Sequence, residues 1–385
     1  APQARYQQEL PTPVQAVTSI EVDDAKGTRS RREVGYEGGA FDASEQEFRG
    51  FRTVTERRMA PDGQGGWAVE AESVTTYHQD TARAGRVDRI ELRDGEGALL
   101  AAREILYTDD ASPPYRTLPS RVDHLEYDGT PEPRRIRTLP TYDGYGNLTH
   151  RLEAGEVSPQ GADLDFEDTR LRKLVYASPN EDAYLVDRVA TASLEAPFGG
   201  PESKPLRETR FAYDGRAHLA APSVGDLTRR IEVLDGLDDP TTTYSYDAYG
   251  NLRTVTDPRG NAGEGGGTTE IQYEATYHTF PSAVVWDTAL ATTHRTELSY
   301  AAEPECDVAY PAAAGRVHLE QGPNALQEGG GTGWLRCYDA FGRPVLERAP
   351  GALAETRWSY VDTPGAVART QSARVPGSGS GRGGN

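Results

Sequence analysis

One short pattern constrains this chain more than anything else in it. Tyr-Asp, two residues, Gly, then Asn or Arg occurs as "YDGYGN" from Tyr142, "YDAYGN" from Tyr246 and "YDAFGR" from Tyr338. A catalytic signature seldom needs three copies, whereas a structural unit does. In "TTTYSYDAYGNLRTVTD", Thr242, Tyr244 and Tyr246 share one face of a strand, and Leu252–Thr256 resumes with β-branched residues. The break between them holds Gly250 and Asn251, which tolerate positive φ. It also holds Asp247, whose carboxylate accepts backbone N–H groups in a turn. The pattern therefore predicts strand, hairpin turn, strand. Its repeat residues are Tyr142, Asp143 and Gly146; Tyr246, Asp247 and Gly250; and Tyr338, Asp339 and Gly342. Tyr213-Asp214 is a degenerate copy, and Tyr127-Asp128 is another with a longer turn. The intervals from Asp143 to Asp214, Asp214 to Asp247 and Asp247 to Asp339 are 71, 33 and 92 residues, so divergent units and insertions are expected between copies.

Other stretches read the same way. "RKLVYASPNEDAYLVDRVATASLEA" is two strands joined at 178–182, and "EIQYEATYHTFPSAVVWD" is strand, turn at Pro281, strand. Helical periodicity is scarce, and 20 Tyr, 41 Gly and 26 Pro favour strands and turns. The expected class is all-β. Gly- and Pro-rich stretches at 195–205, 260–269 and 321–333 suit surface loops. The tail 375–385 has no apolar anchor after Val375.

Charge excludes several partners. The 60 acidic and 41 basic residues leave a net charge of −19, which disfavours nucleic acid and anionic lipid. No stretch approaches the roughly 18 apolar residues of a membrane helix, so no membrane insertion is expected. The start "APQARYQQEL" lacks Met and a leader pattern, as in a fragment or processed piece. Cys306 and Cys337 allow one disulfide, but two thiols define neither pairing nor compartment.

Candidate chemistry is thin. None of the seven histidines forms H-x-x-x-H or H-E-x-x-H. His78 and His278 both follow Thr-Tyr, which reads as a recurring strand position more readily than as a paired site. "DLDFEDT" at 163–169 has Asp168 and Leu174 where a calcium loop needs Gly and Glu. No G-x-S-x-G elbow occurs. The G-x-G-x-x-G match at Gly379, Gly381 and Gly384 lacks a strand before it and a helix after it. Asn147-Leu148-Thr149 is a glycosylation sequon by pattern but reads more simply as a hairpin turn. Catalytic, cofactor and metal residues are therefore expected to be absent. The recurring aromatics read as cross-strand packing or, alternatively, as sugar-binding platforms.

Together these residues resemble Rhs-type YD repeats. That pattern runs Tyr-Asp, two residues, Gly-Arg or Gly-Asn, then often Asp-Pro-x-Gly, and "YDAYGNLRTVTDPRGN" follows it nearly throughout. A second stretch, "YEGGAFDASEQEFRGFRTV" (36–54), is similar to a signature of the B component of bacterial insecticidal toxin complexes and of SpvB-like proteins. There Phe41-Asp42 stands for Tyr-Asp, and Glu47-Phe48-Arg49-Gly50-Phe51 match. The resemblance implies a long antiparallel β-hairpin strip that curls into part of a hollow shell, or cocoon, enclosing a toxic polypeptide. It implies a division into an N-terminal strand or linker (1–35), a B-component middle region (36–118), a YD-repeat shell segment (119–365) and a Gly/Ser-rich tail (366–385). Implied partners are the remaining shell segments or a TcC-like protein, the enclosed effector, and a pore-forming A subunit reached through regions outside this sequence. The implied setting is secreted. Asp257-Pro258-Arg259-Gly260 resembles only the start of the family's autoprotease motif, with Asn261 where Leu is expected, so no protease is implied. A carbohydrate-binding or adhesion module is the alternative. An acid–base hydrolase would need two close carboxylates with perturbed pKa values.

Overall fold

The computed structural model describes residues 6–7, 10–11, 13–23, 28–108, 113–127, 129–197, 205–234, 236–264, 267–287, 293–301, 303–306, 315–327, 333–352, 354–361 and 369–376. Strands dominate it. They are β1 (Tyr6–Gln7), β2 (Ser19–Asp23), β3 (Arg29–Asp42), β4 (Glu47–Pro61), β5 (Trp67–Tyr77), β6 (Val87–Asp94), β7 (Leu99–Tyr107) and β8 (Pro119–Glu126). Then come β9 (Arg134–Tyr142), β10 (Leu148–Glu156), β11 (Arg170–Tyr176), β12 (Val189–Glu195), β13 (Pro205–Tyr213), β14 (Leu227–Val233), β15 (Thr241–Tyr246) and β16 (Leu252–Thr256). The last are β17 (Thr268–Tyr273), β18 (Pro281–Asp287), β19 (Thr293–Ser299), β20 (Leu319–Gln321), β21 (Trp334–Tyr338), β22 (Pro344–Arg348), β23 (Ala354–Val361) and β24 (Arg369–Pro376). Two short helices interrupt them, α1 (Pro258–Asn261) and α2 (Pro323–Gln327). Neither is long and apolar enough to cross a membrane, which says nothing of strands.

The described strands pair antiparallel, as the alternating sequence pattern leads one to expect. Two compact units divide the chain: Ala1–Ala177 with Val186–Thr209, and Ser178–Leu185 with Arg210–Asn385. In the first, β2 to β11 each pair with the next strand in sequence. In the second, β14 to β23 do the same. Chain order thus sets spatial order within each unit.

Among the described residues, neither unit gathers a deep apolar core. Buried apolar residues are sparse, absent from many strands, and often small, as at Ala102, Ala154, Ala190, Ala212 and Ala283. Leu335, Cys337 and Leu346 form a buried cluster, with Cys306 and Val345 against it. Cohesion therefore rests on the backbone ladder and on cross-strand pairs, each contributing about 0.2–1 kcal/mol. The first unit shows this in charge. Cross-strand register sets Arg89 opposite Glu104, Glu104 opposite Asp123 and Asp123 opposite Arg137. Adjacent Glu104 and Asp123 would repel, but Arg135 reaches both, at 3.0 and 2.8 Å. Arg137 adds a forked pair to Asp123 at 2.8 Å. Burial alone would raise the Asp123 pKa, but these guanidinium contacts outweigh it and hold it low.

Several details differ from the sequence reading. Pro281 opens β18, and the turn before it spans 274–280 because the Glu274 carboxylate accepts from the Thr276, Tyr277 and Thr279 N–H groups. The link from β11 to β12 runs over 177–188 rather than 178–182, with Asn180 bridged to Leu185. Cys306 and Cys337 form the disulfide that their spacing left open. Arg369–Pro376, inside the segment read as tail, pairs with β23. Asp128 and the glycines at 379, 381 and 384 lie outside the described residues.

Candidate functional site

The repeat residues build one turn three times. Asp143 Oδ1 accepts from the N–H groups of Tyr145 and Asn147, both at 2.9 Å. Asp247 Oδ1 does the same with Tyr249 and Asn251, both at 2.9 Å. Asp339 Oδ1 accepts from Phe341 at 2.9 Å and Arg343 at 3.0 Å. The sixth residue of the pattern secures the other oxygen: Asn147 and Asn251 each donate Nδ2 to Oδ2 at 3.0 Å, and Arg343 donates Nε at 2.7 Å. Asn and Arg are thus interchangeable here because each supplies a side-chain donor. Gly146, Gly250 and Gly342 take φ of 90°, 83° and 76°, which a Cβ would strain. The Asn147 amide also donates to the Val186 carbonyl, so its sequon nitrogen is engaged in the fold.

These contacts keep the carboxylates charged. For Asp247 the Asn251 amide is the main cause of a lowered pKa. At Asp143 and Asp339 burial pushes upward, and donation from Asn147 and from Arg343 outweighs it. Asp214 follows the same logic in a longer loop, where Ser223, Val224, Gly225 and Asp226 N–H groups converge on it.

Sequence reasoning missed two further copies of the turn. Asp62 accepts from Gln64 and Gly66, both at 2.8 Å, and Asp94 accepts from Glu96 at 3.0 Å and Ala98 at 2.8 Å. Neither follows a tyrosine; the signal is Asp, two residues, Gly, as in "DGQGG" and "DGEGA".

The tyrosines have a separate task. Tyr107, Tyr176, Tyr246, Tyr273 and Tyr300 donate their hydroxyls to the carbonyls of Val87, Leu148, Leu227, Leu252 and Pro281 at 2.8–3.0 Å. Each acceptor is the first residue of the preceding strand. Tyr338 donates likewise to the carbonyl of Val317, two residues before β20, at 3.1 Å. Burial pushes the pKa of these phenols up, and that of Tyr142 with them. Tyr213 ends β13 in the same position. From Tyr107 to Tyr338 these tyrosines recur every 27 to 38 residues. The uneven Tyr-Asp intervals come from units whose tyrosine precedes Ala177, Glu274 or Ala301 instead of Asp. The regular signal was Tyr, not Tyr-Asp. A register slip also falls at the strand-end tyrosine of most hairpins: Tyr77, Tyr107, Tyr176, Tyr246, Tyr273 and Tyr338.

The N-terminal signature folds into the bulged hairpin β3–β4. Asp42 is fully buried and caps Ser44 and Glu45. The Ser44 hydroxyl leads the groups that hold its pKa down, to about 2. Arg49 pairs with it at 3.2 Å. Tyr36, Phe48 and Phe51 pack ring to ring, at 4.9 and 5.4 Å. Gln79, which sequence reasoning did not single out, donates to the Gly38 and Gly50 carbonyls.

The remaining candidates are absorbed by structure. His78 follows β5 and lies between Asp80 and Asp88, while His278 sits in the 274–280 loop beneath Tyr249; both are turn rather than strand positions. Asp163 accepts from Asp165 and Thr169, and Asp165 caps Glu167. Among the described residues, no group of three His, Cys, Asp or Glu side chains could hold a metal ion. A groove lined by Val255, Asp257, Arg259, Thr269, Trp286 and Asp287 holds two carboxylates. Asp257 caps Gly260, and Asp287 accepts from Thr293.

Residues 2–81 match a family model for the middle/N-terminal region of the insecticide toxin TcdB, and residues 224–262 match the RHS repeat. The two resemblances read from 36–54 and 244–261 are borne out, each by its own family model. No curated protein matches the chain. Among solved structures, TcdB2-TccC3-Cdc42 superposes with a TM-score of 0.59 at 12% identity, over 91% of this chain and 22% of that one. TcdB2-TccC3 superposes at 0.56 and 11% identity, over 86% and 22%. The Photorhabdus luminescens Tc holotoxin pore superposes at 0.54 and 12% identity, over 86% and 21%. At such identity the likeness is one of fold, and the chain spans about a fifth of the length of those chains.

Proposed function

We propose that this chain is a wall segment of a toxin-complex shell, with a mechanical rather than enzymatic role. The observation that carries the reading is the series of consecutive hairpins, in which carboxylate turns and tyrosine ties to the preceding strand recur. Such a strip extends by adding units and needs no apolar core. Register slips at one end of successive hairpins add twist and bend there, which supports a curved wall. Similarity to TcdB and TccC components supports placement in a secreted complex.

In this reading residues 36–118 are the B-component middle region, 119–365 the YD-repeat wall, and 1–35 and 366–385 its connecting ends. The wall closes with further shell segments or a TcC-like partner around an effector polypeptide. Contact with a pore-forming A subunit would pass through regions outside this chain. The Tyr142, Asp143, Gly146, Tyr213, Asp214, Tyr246, Asp247, Gly250, Tyr338, Asp339 and Gly342 positions serve as wall joints.

The test is protease protection. The full reading frame is co-expressed with a TcC-like partner carrying an effector, and the complex is digested. The effector should survive far longer than it does free. Digestion at the free rate would refute enclosure, and a specific hit on a glycan array would favour the adhesion alternative.

A further inference from the structure

The same turn occurs with two kinds of tip. In the turns after Asp62 and Asp94 the second residue past the carboxylate is Gln64 or Glu96. In the turns after Asp143, Asp247 and Asp339 it is Tyr145, Tyr249 or Phe341. The backbone N–H of that residue makes the same bond in every case, so turn closure does not require an aromatic ring. Yet in the second unit Tyr249 is 64% exposed and Phe341 77% exposed. Tyr184 and Tyr277, in loops at the same tyrosine-bearing end of that unit, are 74% and 50% exposed. Isolated apolar side chains on a surface need no explanation, but a row of aromatics along one end does.

The row is held in place. The 178–185 loop is tied to the 214–226 loop by Ser178 N–H to the Leu219 carbonyl and by Asn180 Nδ2 to the Pro222 carbonyl. Asn251 Nδ2 ties the 247–251 turn to the His278 carbonyl, and Tyr249 lies flat on the His278 ring at 4.1 Å. Charge surrounds the rings. The segments 178–185, 214–226, 247–251, 274–280 and 339–343 contain seven acidic residues and two basic ones. Hydrogen bonds hold Asp214, Asp247, Glu274 and Asp339 in the ionised form. Aromatic faces attract cations, Arg most of all. The molecule already shows the contact, with the Arg343 guanidinium 5.1 Å from the Phe341 ring centre and 4.2 Å from that of Tyr360.

We propose that the tyrosine-bearing end of the second unit is a docking edge for a basic protein surface, whose arginine side chains seat on Tyr184, Tyr249, Tyr277 and Phe341. The proposal goes beyond the wall reading and does not depend on enclosure of an effector. The turns at Gln64 and Glu96 supply the substitution: Tyr249→Gln, Tyr277→Gln and Phe341→Gln together remove rings without removing a turn bond or a charge.

The experiment uses the full 385-residue chain. A fluorescent nona-arginine peptide is titrated at about 0.15 M salt, where distant charges are screened. The unaltered chain should bind it more tightly than nona-lysine, and the triple variant should bind at least tenfold more weakly with an unchanged urea midpoint. Phe341→Gln alone should show a smaller loss in the same direction if the triple variant folds poorly. Equal affinity in variant and parent would reduce the effect to net charge and overturn the proposal. So would absence of binding, preference for a neutral oligosaccharide, or loss of self-association in the variant, which would make a second copy the occupant.

Discussion

The Cys306–Cys337 disulfide offers the most quantitative check on this structure. It closes a loop over a sequence separation of 31 within the second unit. Chain-entropy arithmetic for a loop of that size gives about 3.7 kcal/mol of stabilisation at 25 °C, through restriction of the unfolded chain. Cys337 is 2% exposed between Leu335 and Leu346, so replacing both cysteines with alanine should cost about 1 kcal/mol more from lost packing. Urea unfolding followed by tryptophan fluorescence reads this unit, which holds Trp286, Trp334 and Trp358. With a slope of about 2 kcal/mol/M, reduction should lower the midpoint by about 1.8 M, and the double Cys→Ala variant by somewhat more. Native protein should yield no titratable thiol. Two free thiols, or oxidised and reduced midpoints within about 0.3 M, would refute the reasoning.

Four further outcomes follow from the turns and ties. Asp143→Ala strips the acceptor from two backbone N–H groups and should cost about 1–2 kcal/mol, measured by chemical denaturation; Asp143→Asn should recover part of this, and no loss would contradict the turn's role. Tyr246→Phe removes the hydroxyl bond to Leu227 and should cost about 1 kcal/mol without altering the circular dichroism spectrum. Gly250→Ala meets open space, so its cost of about 1–2 kcal/mol should come from backbone strain alone; a stabilised variant would exclude the positive φ. Acid should unfold the protein through these carboxylates. Asp42, normally near 3.8, is held at about 2, so the unfolded chain binds more protons between those values and stability falls as pH drops from about 4 towards 2; a flat stability profile across that window would count against the capped carboxylates.

Much of the fold was legible because its rules are local. Alternation named the strands, and Asp with Gly named the turns, since one carboxylate and one positive φ close a hairpin whatever lies beyond. The Tyr-Asp pairing misled in one respect. It joins two independent devices, and Tyr176, Tyr273 and Tyr300 keep the tie without a following Asp. Counting the pair therefore hid the regular unit. Asp62 and Asp94 were overlooked for the converse reason, as turns without a tyrosine.

Sequence alone determined the class, the hairpin turns and the family resemblance, because each depends on residues within a few positions of one another. Only the tertiary structure decided which carbonyl each tyrosine reaches, 19 to 28 residues earlier in the chain. It also decided that Arg135 bridges Glu104 and Asp123, and that Cys306 meets Cys337. Those contacts depend on cross-strand register, which loop length and bulges set jointly, and no single stretch of sequence carries that information.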